Sequence, residues 1–125
     1  MENIMRKVLI VDDSKTILKT AKLILQDLYE VYMANSGEMA IDILEKKEMD
    51  IILMDVDMPG MNGIETVKII KQKEETKNIP VVFFTALASK EIVSQCLELD
   101  KSGYVIKPYL PEELINRIKV VLNEQ

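Results

Sequence analysis

Five strand-like segments alternate with helix-like segments along the chain. Three of them are wholly apolar, residues 8–11, 51–54 and 81–84, and two are weaker, residues 31–34 and 103–106. Continuous apolar runs are typical of strands covered on both faces, so these three should be central and the two weaker ones should lie at the edges. The alternation predicts a doubly wound α/β domain, with a five-stranded parallel sheet and helices on both faces.

The intervening segments carry apolar residues at helical spacing, and each predicts one buried stripe. Asp13 or Ser14 is expected to cap the first helix and Ser36 to open the second, while Pro111 suits the first turn of the last. The predicted stripes are Ile17, Leu18, Ala21, Ile24, Leu25 and Leu28; Met39, Ala40, Ile43 and Leu44; Ile64, Val67 and Ile70; Ile92, Val93, Cys96, Leu97 and Leu99; and Leu114, Ile118 and Val121. No repeat or linker interrupts them, so one domain is predicted over residues 1–125.

Composition excludes several classes of function. The net charge of −5 argues against direct nucleic-acid binding through the protein's own field. The chain has no histidine, which excludes Ser-His-Asp and Cys-His nucleophile systems and histidine-ligated metals. The single cysteine, Cys96, permits no intramolecular disulfide and is expected to be a small buried hydrophobe.

The expected location is the cytoplasm. Residues 1–7 lack the apolar core of a signal peptide, and no apolar stretch approaches the length of a membrane span. The lone cysteine agrees with a reducing compartment. We therefore expect no association with a membrane.

Polar residues stand where four of the predicted strands end. They are Asp12 and Asp13, Asp55, Thr85 and Lys107. An aspartate after a strand most often caps a helix, and a single threonine or lysine there has ordinary structural explanations. However, ligands of open α/β sheets bind outside the carboxyl ends of the strands, so this combination predicts a functional site.

The chemistry of such a site follows from its charges. Three crowded carboxylates repel one another, and Lys107 supplies only one positive charge. A hard divalent ion offsets the excess, and Mg²⁺ binds through carboxylates, water and phosphate oxygens, with Mn²⁺ as a substitute. Asp55 is then a candidate nucleophile for an aspartyl-phosphate, with Lys107, Thr85 and the metal holding the phosphoryl oxygens.

These residues resemble the receiver domain of a two-component response regulator. The resemblance spans the chain, and its motifs are residues 8–13, Asp55 with residues 58–63, residues 84–86 and residues 104–108. It implies a flavodoxin-like (βα)5 fold of strand order 2-1-3-4-5. It also implies a phosphorelay signalling switch and not an enzyme, since such a domain catalyses only its own phosphotransfer and slow autodephosphorylation.

The resemblance assigns roles around the phosphoacceptor. Asp55 is expected to take a phosphoryl group from a sensor histidine kinase or a phosphotransfer protein. Asp12 and Asp13 are expected to organise Mg²⁺, with Asp13 and Asp55 as direct ligands and Asp57 contributing its backbone carbonyl.

The remaining roles concern the response. Lys107 is expected to contact the phosphoryl group, and its bond to Pro108 to be cis. Thr85 should move to a phosphoryl oxygen while Tyr104 turns inward, changing the surface of the fourth helix, fifth strand and fifth helix. The partners implied are a downstream protein target or output domain, and a phosphorylation-dependent homodimer through that surface.

Some positions depart from the family pattern. Asp100 and Lys101 stand where Gly-Ala is common, and Leu110 offers no capping side chain; both departures are predicted to alter the output surface. The resemblance also implies that Asp57 and Leu87, each two residues beyond a site residue, flank the path of attacking water. Because Leu87 cannot orient that water, the phosphoryl group is predicted to be lost slowly.

Two other interpretations of the residues remain open. The Asp-x-Asp after residues 51–54 resembles a haloacid-dehalogenase-type phosphatase, although that family needs a longer chain. A flavin-binding module has similar topology, although two carboxylates in the first loop would repel a flavin phosphate. The chain ends soon after the fifth helix, which agrees with a single-domain regulator or with the receiver portion of a longer one.

Overall fold

The computed structural model describes residues 4–124, so the predicted bounds of the domain, residues 1 and 125, lie outside the described residues. The strands are β1 (Lys7–Val11), β2 (Glu30–Ala34), β3 (Ile51–Met54), β4 (Val81–Thr85) and β5 (Tyr104–Ile106). The helices are α1 (Lys15–Leu25), α2 (Gly37–Lys46), α3 (Gly63–Gln72), α4 (Lys90–Leu99) and α5 (Pro111–Val121). Within residues 4–124, every helix is too short or too polar to cross a membrane.

The five strands form one parallel sheet in the order β2-β1-β3-β4-β5. This confirms the predicted fold, including which strands are central and which lie at the edges. The central strands are buried almost throughout, whereas β2 and β5 are partly exposed. Burial on both faces explains why the central strands lack an alternating polar pattern.

Alternate residues of each strand supply two separate cores. Val8 and Ile10 face α1 and α5, while Leu9 and Val11 face α2, α3 and α4. Each helix is bound to the sheet by the buried part of its apolar stripe. Because all five strands are parallel, every connection from a strand to the helix that follows it lies at the carboxyl edge of the sheet.

The buried helical stripes are narrower than predicted. In α1, Leu18, Ala21 and Leu25 are buried, but Leu28 is exposed because the helix ends at Leu25. Met39 of α2 is exposed as well. In α4 only Cys96 is buried, as predicted for a small hydrophobe, and the other stripe residues are half-buried.

The helix caps follow the predicted residues with one choice resolved. Ser14, and not Asp13, accepts a hydrogen bond from the backbone N–H of Ile17 at 3.3 Å. Ser36 caps α2 as expected. Leu110 occupies the N-cap position of α5, and its side chain offers no hydrogen-bond acceptor. The Glu113 carboxylate accepts a hydrogen bond from the Leu110 backbone N–H at 3.1 Å.

Candidate functional site

Backbone ladder bonds continue past the strand ends and set the positions of the site residues. The Asp55 N–H donates to the Val11 carbonyl at 2.9 Å, and the Lys107 N–H donates to the Thr85 carbonyl at 3.0 Å. The residues predicted at the carboxyl edge are thus held at the ends of neighbouring strands, as parallel topology requires.

Three aspartates converge at this edge. One carboxylate oxygen from each of Asp12, Asp13 and Asp55 lies within 4.8 Å of the others. Asp12 is 1% exposed and Asp55 is 4% exposed, whereas Asp13 is open to solvent. Asp57 is exposed and lies outside the cluster, so its expected contribution through the backbone carbonyl stays a prediction.

Lys107 supplies the positive charge of the site and lies closer to Asp12 than to Asp55. Its Nζ lies 2.5 Å from Asp12 Oδ2 and 3.5 Å from Asp55 Oδ1. The ammonium also lies 4.7 Å from the centre of the Phe84 ring, a favourable cation–π position. The peptide bond between Lys107 and Pro108 is cis, as predicted.

The electrostatic environment leaves Asp55 short of positive charge. Burial, and then repulsion by Asp12, raise the pKa of the Asp55 carboxyl, and these outweigh the lowering by Lys107, Thr85 and the Asp57 backbone. Crowded carboxylates were expected to favour protonation, and burial proves to be the larger cause.

The donor set fits a hard divalent cation. All three clustered side chains offer carboxylate oxygens, which are the ligands that Mg²⁺ prefers. The exposed Asp13 leaves one side open for water and phosphate, which Mg²⁺ retains in such sites. A divalent ion here would relieve the repulsion that raises the pKa of Asp55.

Thr85 and Tyr104 are linked through one residue of the connection between β4 and α4. The buried Thr85 hydroxyl accepts a hydrogen bond from the Leu87 backbone N–H at 3.3 Å. The Tyr104 hydroxyl donates to the Leu87 carbonyl. Burial, with smaller contributions from Cys96 and Asp55, raises the pKa of Tyr104 to about 12, so this hydroxyl remains a donor at neutral pH.

The start of α3 packs closely against the backbone of Asp55 and Val56. The sequence analysis did not predict this contact. The Gly63 N–H donates to the Val56 carbonyl at 2.9 Å, and a Cβ on Gly63 would lie 2.0 Å from the Asp55 carbonyl oxygen. Asn62 and Glu65 form a reciprocal capping box in front of it. The Asn-x-x-Glu pattern at 62–65 was the available signal.

Asp100, which departs from the family pattern, lies directly after α4. Its side chain is buried at the amino edge of the sheet, where it pairs with Lys71 at 2.6 Å. The paired carboxylate itself is buried, so any effect of Asp100 on the output surface acts through α4 and β4, which it joins, and that effect stays a prediction. Lys101 and Leu110 are exposed.

Comparisons with known proteins agree with this fold and site. The model of the response regulator receiver domain matches residues 8–119. Chemotaxis protein CheY-3 of Vibrio cholerae serotype O1 is 35% identical over 114 residues, covering 90% of this chain and 88% of that protein. The chain therefore belongs to the response regulator receiver domain family, and CheY-like proteins of two-component signalling are among its relatives.

Solved structures give the same result. Chemotaxis protein CheY4 of Vibrio cholerae is 36% identical, with a TM-score of 0.89 over 94% of this chain and 98% of that one. The BeF3-activated receiver domain of DrrB is 31% identical, with a TM-score of 0.86 over 97% and 100%. Family membership decides against the phosphatase and flavin-module interpretations.

Proposed function

We propose that this receiver is a phosphorylation-activated switch in which Asp55 accepts a phosphoryl group from the phosphohistidine of a sensor histidine kinase or phosphotransfer protein. The observation that carries this proposal is the setting of Asp55. It is a buried carboxylate beside Asp12 and Asp13, with the Lys107 ammonium 3.5 Å away. The similar receiver domain of DrrB was solved in a BeF3-activated form, which supports the existence of an activated state in this receiver as well.

The transfer is a single displacement at phosphorus. One Asp55 carboxylate oxygen attacks the phosphorus, the P–N bond of the donor breaks, and the departing imidazole takes up a proton. The Lys107 ammonium and the Thr85 hydroxyl then hold phosphoryl oxygens. Mg²⁺, or Mn²⁺, would supply charge neutralisation when held by the aspartates.

The ligands of that ion are assigned residue by residue. Asp13 and Asp55 would bind it directly, Asp12 would orient the ion and its water, and Asp57 would offer its backbone carbonyl. Asp12 suits the indirect role because its two oxygens already accept from the Ser14 N–H at 2.9 Å and from Lys107. The exposed Asp13 suits a direct one.

The output follows from the bonds at Leu87. When Thr85 turns to a phosphoryl oxygen, it releases the Leu87 N–H, and Tyr104 leaves the Leu87 carbonyl and turns inward, which frees the connection that leads into α4. The surface of α4, β5 and α5 then changes, which controls a target protein, an output domain or a homodimer. Ile106 and Val120 already expose apolar side chains on this surface.

Under this proposal the whole chain, residues 1–125, is one receiver that works in the cytoplasm. It is a switch and not a turnover enzyme, since each molecule would accept one phosphoryl group and lose it slowly. Catalytic hydrolysis of a generic phosphate ester would contradict this assignment.

The test is the mass of the intact protein after incubation with acetyl phosphate, with and without Mg²⁺. We expect one phosphoryl adduct that requires Mg²⁺ and is absent in Asp55→Asn. Asp42→Asn is the matched control, because Asp42 is an exposed aspartate of α2 away from the cluster. An adduct that persists in Asp55→Asn, or no adduct on the wild-type protein, would overturn the proposal.

A further inference from the structure

Asp100, directly after α4, is the centre of a buried network at the amino edge of the sheet. Its Oδ2 accepts from Lys71 Nζ at 2.6 Å and from the Val81 N–H at 2.9 Å, and its Oδ1 accepts from the Ser102 N–H at 2.8 Å. Its backbone N–H makes the last bond of α4, to the Cys96 carbonyl at 3.0 Å. One side chain therefore joins the end of α4 to the first residue of β4.

Lys71, in the last turn of α3, completes the network. Its Nζ also donates to the Ile79 carbonyl at 2.8 Å and to the Lys77 carbonyl at 3.2 Å. The Lys71 and Asp100 side chains are only 19% and 8% exposed. Each charge in such a pair needs the other, because loss of one partner leaves an uncompensated buried charge.

The other end of α4 has no buried charge pair among residues 4–124, and its contacts are the half-buried Ile92 on the core and the bonds of Leu87 to Thr85 and Tyr104. Residues 86–91 are all exposed, and Ser89 caps the helix from within its own first turn at 3.3 Å. The fully buried residue of α4 is Cys96, one turn before Asp100. The helix is therefore held at its C-terminal end and loosely attached at the end that follows Thr85.

We propose that the Lys71–Asp100 pair is the pivot of the switch, holding the C-terminal end of α4 on α3 and β4 so that activation moves its N-terminal end. Lys71 and Asp100 are thus positioning residues, which contact neither the phosphoryl group nor the metal ligands. The inference rests on the proposed function, since it describes how phosphorylation at Asp55 reaches the output surface.

The test is hydrogen–deuterium exchange measured by mass spectrometry, with and without acetyl phosphate and Mg²⁺, with the intact mass recorded on the same samples. In the wild-type protein, phosphorylation should change exchange in residues 86–91 and leave residues 96–102 unchanged. A change of equal size at both ends, or at neither, in protein that carries the adduct would overturn the pivot.

Asp100→Asn is the informative variant. The carboxylate accepts hydrogen bonds from three donors, Lys71 Nζ, the Val81 N–H and the Ser102 N–H, whereas an amide offers them only one oxygen. Without phosphoryl donor, exchange at residues 96–102 should rise about tenfold relative to wild type, and phosphorylation should then change exchange along all of α4. Exchange at 96–102 that stays at the wild-type level would contradict the inference. If Asp100→Asn does not fold, Lys71→Gln removes the same charge pair from the other side.

Glu74→Gln is the matched control, since it breaks the exposed pair of Glu74 with Lys77 near the same end of α3. It should leave exchange in α4 unchanged. A wild-type protein that takes up no phosphoryl group would overturn the proposed function, and the pivot with it. An adduct with the wrong exchange pattern would overturn the pivot alone.

Discussion

Asp55 and Asp100 are two buried aspartates, each beside a lysine, at opposite edges of the same sheet. Their side chains are 6% and 8% exposed. Burial raises the pKa of both, but at Asp100 the bonds from Lys71, Ser102 and Val81 outweigh it and hold the pKa below its usual range. At Asp55 the pKa stays raised. Equal burial therefore produces opposite outcomes at the two edges.

The difference lies in how many acids share each lysine. Lys71 pairs with Asp100 alone, and backbone N–H groups satisfy the remaining lone pairs. Lys107 lies closer to Asp12 than to Asp55. The Lys71–Asp100 pair is neutral in itself, whereas the three aspartates around Lys107 leave an excess of negative charge at the carboxyl edge. Perturbed groups of this second kind are typical of functional sites.

The largest expected effect is the loss of the balanced pair. Lys71→Met leaves the Asp100 carboxylate buried without its cation, so the free energy of unfolding should fall by about 3 kcal/mol at pH 7. Urea denaturation measures this. Lys77→Met, which removes the exposed pair with Glu74, should cost about 0.5 kcal/mol or less. Similar losses of unfolding free energy in Lys71→Met and Lys77→Met would mean that the buried Asp100 carboxylate does not need the Lys71 charge.

The same pair predicts a dependence on pH. The pKa of Asp100 is lower in the folded protein than its ordinary value of 3.8, so the carboxylate contributes stability above that value. This contribution is lost as pH falls through the folded pKa. The difference in unfolding free energy between wild type and Asp100→Asn should therefore be largest near neutral pH and shrink below about pH 4. A difference independent of pH would contradict the charge pairing.

A divalent ion should complete the carboxyl edge. At tenfold excess of Mg²⁺ over its Kd, the free energy of unfolding should rise by about 1.4 kcal/mol in the wild-type protein. Asp13→Asn should abolish most of this gain, since it removes an exposed ligand, and Asp42→Asn should retain it. Urea denaturation with Mg²⁺ or with EDTA measures both, and an equal gain in Asp13→Asn would exclude Asp13 as a ligand.

Leu87 is predicted to set how long the phosphoryl group stays on Asp55. Leu87 makes both of its bonds through the backbone, so Leu87→Glu keeps them while adding a carboxylate that orients water. One such hydrogen bond is worth about 1.4 kcal/mol, or tenfold faster loss of the adduct. Ala88→Glu places the same charge one residue further on and should hydrolyse at the wild-type rate. Leu87→Glu that is no faster than wild type would contradict the slow-loss hypothesis.

The smallest effect has the opposite sign to that of Asp100. The raised pKa of Asp55 means that its ionised form destabilises the folded protein, so Asp55→Asn should add about 1 kcal/mol at pH 7 without Mg²⁺. The gain should shrink as pH falls through the folded pKa of Asp55 and vanish below 3.8, where the carboxyl becomes protonated in the folded and the unfolded protein. Thermal or urea unfolding across pH measures this, and a loss of stability at pH 7 would mean that Lys107 already balances the site.

Much of the site could be predicted from sequence because strand ends are local signals. Apolar runs stop at Asp12, Asp55, Thr85 and Lys107, and parallel strands bring such ends to one edge. The order of the strands came from the family resemblance and not from the pattern, because apolar runs carry no information about their neighbours. The capping box at Asn62 was also local, and it was visible in the chain.

The sequence by itself determined which segments form strands, which of them are central, and which polar groups meet at the carboxyl edge. Only the tertiary structure decided the pairing of charges. Lys107 meets Asp12 across 95 residues, and Lys71 meets Asp100 across 29. The tertiary structure also decided that the pKa of Asp55 is raised while that of Asp100 is lowered. Such outcomes depend on burial and on distances of a few ångströms between segments far apart in the chain, and local patterns do not encode these.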